Sequence, residues 1–124
     1  ITSLYLTRRN LENIKEYKGY SNVFLTSDNR KAVKNSDILI FAVQPSHLEG
    51  ILNTIKDLFT EKHVIISTIT GYSVSKIENS IGIDKYVVRA MPNTAIAVSK
   101  SMTCLCSNKK GAESIKIAEA IFNT

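Results

Sequence analysis

The chain has 124 residues, of which 44% are hydrophobic and 22% are charged, and its formal net charge is +5. This length and composition predict one soluble globular domain with a core of its own. They exclude a membrane span, because no apolar stretch approaches the ~20 residues that a transmembrane helix needs. The N-terminal residues also lack the pattern of a signal peptide, so we expect a cytoplasmic protein that binds no membrane.

Positive charge is spread along the chain rather than collected in one patch. Lysines and arginines are interleaved with acids from Arg8 to Lys116. No aromatic residues are interleaved as stacking platforms with the densest basic groups, which are Arg8-Arg9, Arg30-Lys31-Lys34 and Lys109-Lys110. This distribution argues against nucleic acid as a partner.

The cysteines and histidines predict neither a disulfide framework nor a metal site. Cys104 and Cys106 are the two cysteines, and neither His47 nor His63 lies at a metal-ligand spacing from them. Residues two apart on a strand share a face. We therefore expect both cysteines to pack into the core.

Apolar segments of strand length alternate with segments of helical periodicity from the first residues onward. We predict a strand at Ser3–Thr7, a short helix capped by Asn10 and ended by Gly19, a strand at Val23–Leu25, and a short helix opened by Asp28.

The stretch Ile38–Val43 is apolar throughout and shows no alternation, which is typical of a parallel strand covered on both faces. Pro45 follows it, and Ser46 with Glu49 matches the S-x-x-E capping box of a helix start. The apolar stripe from Leu48 to Phe59 then predicts a long amphipathic helix.

The second half of the chain continues the alternation. We predict strands at Val64–Ile69, Tyr86–Val88 and Met102–Cys106, a helix capped by Ser73 or Ser75, and a final helix over Ala112–Phe122, while Ala95–Val98 fits either state. This order predicts a single domain over residues 1–124 with an α/β fold: a doubly wound, Rossmann-like, mostly parallel sheet with helices on both faces.

Open α/β sheets bind ligands in the crevice beyond the carboxyl ends of their strands. That rule places four residues on the lip of such a crevice: Ala42, Val43, Gln44 and Pro45. The alternative is an ordinary buried strand whose turn binds nothing.

Ser3–Thr7 and the residues after it fit the second strand of a dinucleotide-binding fold and its tip, although no G-x-G-x-x-G motif occurs in the chain. An acid at the tip of the second strand of a dinucleotide fold binds the ribose hydroxyls of NAD, whereas an arginine accommodates the 2′-phosphate of NADP. Guanidinium groups match phosphate oxygens bidentately. Arg8 and Arg9 therefore predict NADP, and the alternative is a pair of solvated surface arginines.

Several stretches together resemble the pyrroline-5-carboxylate reductase family. RAMPNT is the most specific of them, because the fold does not demand that string. The similar segments cover nearly the whole chain: TRRN at 7–10, DNRKAV at 28–33, SDILIFAVQP at 36–45, IISTITGYSVSKIE at 65–78 and VVRAMPNTAIAVSKSMTCLCSN at 87–108.

The resemblance implies an NADP-dependent oxidoreductase of proline biosynthesis that transfers hydride to the C=N bond of the small molecule 1-pyrroline-5-carboxylate. It implies that Arg8 and Arg9 hold the 2′-phosphate and that Asn29 lies against the adenosine ribose. On the nicotinamide side it implies a set that lines or closes the crevice: Ala42, Val43, Gln44, Pro45, Thr70, Gly71, Met91, Pro92, Asn93 and Thr94.

The chain departs from the family pattern at several positions. Gln44 stands where the family usually has lysine, Ile69 and Thr70 replace a pair of alanines, Ala95 replaces a proline, and Lys100-Ser101 replace Glu-Gly. The resemblance also implies that the family's first strand, Gly-rich turn and first helix, and its C-terminal helical domain, lie outside these residues.

That C-terminal domain builds the family's dimer and contacts the substrate, so the resemblance implies a homo-oligomer but identifies no catalytic residue here. We expect the 124 residues alone to be inactive and to bind NADP poorly. Two alternatives stay open: a reductase-like binding or regulatory module without catalysis, and a reductase of another small imine or β-hydroxyacid.

In the family's strand order, the first strand lies between Ser3–Thr7 and Ile38–Val43. Unpaired backbone groups on two facing strand edges are costly. We therefore expect Ser3–Thr7 to close directly against Ile38–Val43, or two copies of the chain to pair there.

Overall fold

The computed structural model describes residues 2–82, 84–98, 100 and 102–123, with Ile96 described by its backbone alone. The departure noted at Ser101 lies outside the described residues.

Strands and helices alternate along the described chain as the sequence predicts. The strands are β1 (Leu4–Thr7), β2 (Val23–Thr26), β3 (Ile38–Phe41), β4 (Val64–Ser67), β5 (Tyr86–Met91) and β6 (Cys104–Ser107). The α-helices are α1 (Asn29–Lys34), α2 (Pro45–Ile55), α3 (Val74–Ile81) and α4 (Ile115–Phe122). Shorter 3₁₀ helices lie at Leu11–Gly19, Lys56–Leu58, Thr94–Val98 and Ala112–Ser114.

The strands form two sheets. β1 and β2 pair in parallel, and the second sheet has the order β3-β4-β5-β6. Its first three strands are parallel, and β6 is antiparallel to β5. The predicted mostly parallel α/β architecture is confirmed.

The larger sheet has a core on each face. One face of β3, β4 and β5 packs under α2 and α3 through Leu39, Ile65 and Val87 and through residues such as Leu48 and Ile77. The other face packs against α4 in a smaller cluster around Ile66, Val88 and Ala118. Helices on both faces are the arrangement that buries a parallel sheet.

Capping residues fix where the helices begin. The side chain of Asp28 accepts from the backbone N–H of Lys31, and that of Ser73 accepts from Lys76, as predicted for α1 and α3. The capping box predicted for α2 is wrong: Gln44 is the N-cap, without a side-chain hydrogen bond, and Pro45 is the first helical residue. Proline favours that position because its φ is already helical.

The predicted closure of the first strand against the central strand is also wrong. β1 pairs only with β2, and β3 pairs only with β4 among the described residues. A cavity of ≈ 120 Å³ lies between these two strands, with Tyr5 and Thr7 on one side and Leu39 and Phe41 on the other. The 3₁₀ helix at Leu11–Gly19 packs against β2 rather than over this cavity.

Two further expectations about burial fail on this sheet. β3 is not covered on both faces, because Ile40, which points away from α2, is 46% exposed. Cys104 and Cys106 share a face of β6 as predicted, but both are exposed and neither packs in the core. β6 is the last strand of its sheet, with a neighbouring strand on one side only among the described residues.

Candidate cofactor-binding site

The segments predicted to bind a cofactor follow neighbouring strands at one edge of the sheet. Phe41 of β3, Ser67 of β4 and Arg89 of β5 lie side by side in the strand register. Because the three strands are parallel, the segments that follow them all leave at the carboxyl edge. This is the edge at which open α/β sheets bind ligands.

The segment after β3 exposes three of its four predicted site residues to solvent. Val43 is half-buried and packs against the core, whereas Ala42, Gln44 and Pro45 are exposed. The Gln44 amide makes no capping hydrogen bond to α2. Its carbonyl accepts from the backbone N–H of His47 at 2.9 Å, which holds the turn in place.

The segment after β4 is tied to the last residue of β3. The backbone N–H and the hydroxyl of Thr68 both donate to the carbonyl of Phe41, at 3.0 and 3.2 Å. Thr70 and Gly71 are exposed, and Gly71 adopts a φ of 76°, a left-handed conformation that favours glycine. Its carbonyl accepts from Lys76 Nζ at 3.5 Å.

The segment after β5 forms a short capped turn. Met91 and Pro92 are half-buried, and Asn93 and Thr94 are exposed. Asn93 Oδ1 accepts from the backbone N–H of Ala95 at 3.0 Å, which starts the 3₁₀ helix at Thr94–Val98. The region predicted as ambiguous is therefore helical.

Arg8 and Arg9 lie directly after β1, at the carboxyl end of the smaller sheet, and both are exposed. The backbone N–H of Arg8 donates to the carbonyl of Thr26 at 3.2 Å and extends the β1–β2 pairing. No ion pair among the described residues involves either guanidinium. Both remain available to an anion.

Asn29 lies between the end of β1, which Arg8 and Arg9 follow, and the end of β3. It is the first residue of α1 and is half-buried, and with Thr7 and Val43 it lines the cavity between β1 and β3. The structure therefore brings the end of β1, the start of α1 and the end of β3 to one cavity.

A surface clamp holds α1 against the end of α2. Arg30 donates to both carboxylate oxygens of Asp57, at 2.7 and 2.8 Å, and to the carbonyl of Thr54 at 2.7 Å. The hydrogen bond from Arg30 is the main cause that lowers the pKa of Asp57 below its ordinary value. The same bond raises the pKa of Arg30. The clamp fixes the helix that carries Asn29.

Sequence reasoning did not single out Arg89 as a site residue. It lies on β5 two residues before Met91, and its Nε is buried without a hydrogen-bond partner among the described residues. Its place inside the RAMPNT string was the only signal in the sequence that pointed to it.

The described part of the chain offers neither a metal-ion cluster nor a membrane-spanning helix. It contains no group of three or more histidines, cysteines or acids placed to hold a metal ion. None of its helices is long and apolar enough to cross a membrane.

Residues 1–114 match the model of the family described as "NAD-dependent glycerol-3-phosphate dehydrogenase N-terminus". The chain belongs to this family of dinucleotide-binding domains. Among solved structures, a pyrroline-5-carboxylate reductase from Coxiella burnetii superimposes with a TM-score of 0.88 at 32% identity, over 95% of this chain and 44% of the other. The crystal structure of the Plasmodium falciparum enzyme with NADP bound gives a TM-score of 0.78 at 24% identity, over 98% and 54%.

Curated relatives of this NAD(P)-binding domain include pyrroline-5-carboxylate reductases. Pyrroline-5-carboxylate reductase 2 of Dictyostelium discoideum is 38% identical over 135 residues, which cover 97% of this chain and 45% of the relative. The chain thus spans less than half of that relative's length. The predicted resemblance is confirmed, and so is the Rossmann-like fold.

Proposed function

We propose that this chain is the cofactor-binding part of an NADPH-dependent pyrroline-5-carboxylate reductase. The observation that carries the proposal is the 38% identity to such an enzyme over 97% of the chain. The family model takes its name from a different dehydrogenase, but it matches the dinucleotide-binding domain and does not specify the second substrate.

The described residues suit a dinucleotide laid along the carboxyl edge. Arg8 and Arg9 would hold the 2′-phosphate, and Asn29 would lie against the adenosine ribose beside the cavity between β1 and β3. The nicotinamide half would lie across the exposed turns after β3, β4 and β5: Ala42, Val43, Gln44, Pro45, Thr70, Gly71, Met91, Pro92, Asn93 and Thr94.

Two exposed arginines at the end of β1, with no acid beside them in the chain, favour NADP over NAD. When bound, NADPH supplies a hydride, the C=N carbon of the substrate gains it, the nitrogen gains a proton, and the products are NADP⁺ and a secondary amine. The role of this chain is to orient the nicotinamide ring of NADPH relative to the imine substrate. We also propose a cytoplasmic location and a homo-oligomeric enzyme.

The test is an assay of the complete natural polypeptide with NADPH and 1-pyrroline-5-carboxylate, followed by the loss of NADPH absorbance. We expect turnover of this imine and no turnover of dihydroxyacetone phosphate, the ketone substrate that the name of the family model suggests. A protein that binds NADPH but reduces neither compound would identify a binding module and overturn the proposal.

A further inference from the structure

His63 is a buried histidine directly before β4, at the amino edge of the larger sheet. Only 2% of its surface is exposed, and buried polar groups almost always have hydrogen-bond partners. Nδ1 lies 2.9 Å from the backbone nitrogen of Thr60, and Nε2 lies 3.3 Å from the carbonyl oxygen of Val33 in the last turn of α1. One side chain thus joins the turn before β4 to α1.

These two partners fix the protonation state of the His63 ring. A backbone N–H can only donate, so Nδ1 accepts from Thr60 and carries no proton. A carbonyl oxygen can only accept, so Nε2 carries the proton and donates to Val33. Thr60 Oγ1 lies 3.2 Å from Nδ1 and can adapt to either role, but the backbone N–H of Thr60 cannot. The geometry therefore requires the neutral ring with its proton on Nε2.

A second proton on His63 would oppose this arrangement. The imidazolium has an N–H at both nitrogens, so the new one would point at the N–H of Thr60, and a charge would be buried. The ring of Phe59, which packs at 65° with its centroid 6.2 Å away, offers no hydrogen-bond acceptor. Relief requires the His63 ring to leave its buried place, and that movement also breaks the hydrogen bond to Val33.

Charged side chains on the elements around His63 do not compensate such a charge. Among the described residues no acid hydrogen-bonds the ring, and the nearby acids are engaged elsewhere: Asp37 with Lys62 at 3.3 Å, Glu61 with Lys110 at 4.0 Å, and Asp57 with Arg30 at 2.7 Å. The others are cations: Lys31, Lys34, Lys56 and Lys85. Lys85 Nζ even donates to the carbonyl of Phe59, at 3.4 Å. The surroundings therefore favour the neutral ring.

The helix that His63 holds is short and borders the candidate cofactor site. α1 has six residues, and three of them, Asn29, Ala32 and Val33, line the cavity between β1 and β3. Arg30 clamps the first turn of α1 to the end of α2, and His63 holds the last turn. Loss of the second hold would leave α1 fixed at one end and change the shape of the cavity.

We infer that His63 is an acid-sensitive positioning residue: its neutral ring ties α1 to the turn before β4, and a second proton releases that tie. The effect on the cofactor rests on the proposed function, whereas the protonation state and the stability of the fold do not. A histidine in an unfolded chain takes up its second proton near pH 6.5. The folded arrangement resists that proton, so stability should fall as the pH drops below about 6.5.

The first test is urea unfolding of the complete natural polypeptide at a series of pH values. One proton taken up only on unfolding lowers the folded-to-unfolded ratio by up to about tenfold per pH unit. We expect His63→Gln to lose that share of the decline below about pH 6.5, because an amide does not titrate there. His47→Gln replaces the other histidine of the 124 residues, at an exposed position of α2, and should keep it. Equal declines in the wild type and His63→Gln would overturn the inference.

The second test observes the ring itself and needs neither cofactor nor turnover. In protein labelled with ¹⁵N at histidine, the His63 signals are assigned by their absence from His63→Gln. At neutral pH they should show an unprotonated Nδ1 and a protonated Nε2, and this pattern should persist to a lower pH than the neutral ring of exposed His47. A proton on Nδ1 of His63 at neutral pH, or titration of the two histidines together, would overturn the inference.

The third test separates the tie to α1 from the hydrogen bond within the turn. Glutamine places its amide near the position of Nε2 and can donate to Val33, whereas asparagine places its amide near Nδ1 and can only accept from Thr60. In the complete enzyme, His63→Asn should raise KM for NADPH by roughly two- to tenfold without changing kcat. His63→Gln should keep the wild-type KM. Equal KM values in His63→Asn and the wild type would overturn the positioning role.

The tests distinguish this inference from the proposed function. A protein that passes the first two tests but binds no NADPH would reject the reductase and retain the acid-sensitive tie. An active reductase whose His63 titrates together with His47 would reject the tie alone. If neither variant folds, the histidine signals of the wild type, with those of His47 assigned through His47→Gln, decide.

Discussion

The side-chain oxygen of Asn108 accepts a hydrogen bond from the backbone N–H of Gly111 at 2.7 Å. The same oxygen accepts from the backbone N–H of Val87 at 3.2 Å, and the Asn108 amide nitrogen donates to Glu78 and to the carbonyl of Lys85, both at 2.8 Å. One buried side chain thus uses both of its polar atoms to fasten the turn after β6 onto β5. The turn tolerates little change of shape or charge.

Gly111→Ala should destabilise the protein by about 1–3 kcal/mol, because the added methyl group overpacks the turn. An ideal Cβ there would lie 2.5 Å from the carbonyl oxygen of Val87 and 2.7 Å from Asn108 Oδ1. The φ of Gly111 is −79°, so the cost comes from contact and not from backbone strain.

Gly50→Ala is the matched control for this substitution, and urea unfolding measures both. Gly50 lies inside α2 with nothing within 4 Å of the added atom. Alanine there should stabilise the protein by about 0.5–1 kcal/mol. A Gly111→Ala protein as stable as the wild type would show that the turn can move away from β5.

Asn108→Asp should destabilise the protein by about 2–4 kcal/mol at neutral pH. The substitution keeps the shape but replaces the donor that faces Glu78 and Lys85 with a second carboxylate oxygen. The loss should shrink as the pH falls, because protonating either carboxylate restores a donor. Asn79→Asp, the same change at an exposed position of α3, should alter stability little. Equal effects of the two variants at neutral pH would contradict the contacts described.

The preference for NADPH over NADH should depend on Arg8 and Arg9. Loss of a charge-assisted phosphate contact costs about 1.5–3 kcal/mol, so Arg8→Ala/Arg9→Ala should lower the NADPH/NADH ratio of kcat/KM by roughly 10- to 100-fold. Lys109→Ala/Lys116→Ala removes the same charge at two other exposed positions and should leave the ratio unchanged. A wild type that prefers NADH would reject the assignment.

The Arg30–Asp57 pair should make stability fall at acid pH. The hydrogen bond from Arg30 lowers the pKa of Asp57 in the folded state. A group with a lowered folded-state pKa contributes stability above its unfolded pKa, near 4, and this contribution is lost as the pH falls through the folded value. The effect should be small, because both side chains are about half exposed to solvent.

Melting temperatures from about pH 6 to pH 2 test this point, since that range spans the ordinary pKa of aspartate. Asp57→Asn should remove part of the acid-side decline, and Arg30→Gln should remove the same part. The double variant should behave like either single one, because both remove one interaction. If the melting temperature of Arg30→Gln falls with pH as steeply as that of the wild type, the acid-side loss of stability comes from other carboxylates.

Local chemistry accounts for most of what the sequence could predict. Asp28 and Ser73 cap their helices because short polar side chains satisfy the first N–H groups. The start of α2 was misplaced because two local signals competed, and the fixed φ of Pro45 prevailed over the motif at Ser46. The strand-end rule predicted only the segment Ala42–Pro45, because the carboxyl edge of a parallel sheet gathers the turns that follow its strands. The segments at Thr70 and Met91 were predicted from the family resemblance.

The predictions that proved wrong concern which surfaces and strand edges are covered by other elements of the fold. Strand alternation placed Cys104 and Cys106 on one face, but only the position of β6 at the end of its sheet determines that this face is exposed. Closure of β1 against β3 was expected from the cost of unpaired edges, yet pairing with β2 and packing against α1 hold β1 elsewhere. The missing hydrogen-bond partner of Arg89 Nε could not be predicted either, because it depends on neighbours in space that no local sequence pattern specifies.

The separation of the two sheets has a consequence for how this domain can be recombined. Every strand pairing described lies either within residues 4–26 or within residues 38–107, so no ladder crosses the segment between them. α1 lies in that segment and packs on both neighbours, β1 and α2. A crossover between related genes near Ser36 would exchange the segment that carries Arg8 and Arg9 for another while leaving each of these described ladders whole. The preferred phosphate of the cofactor could then change in a single genetic event.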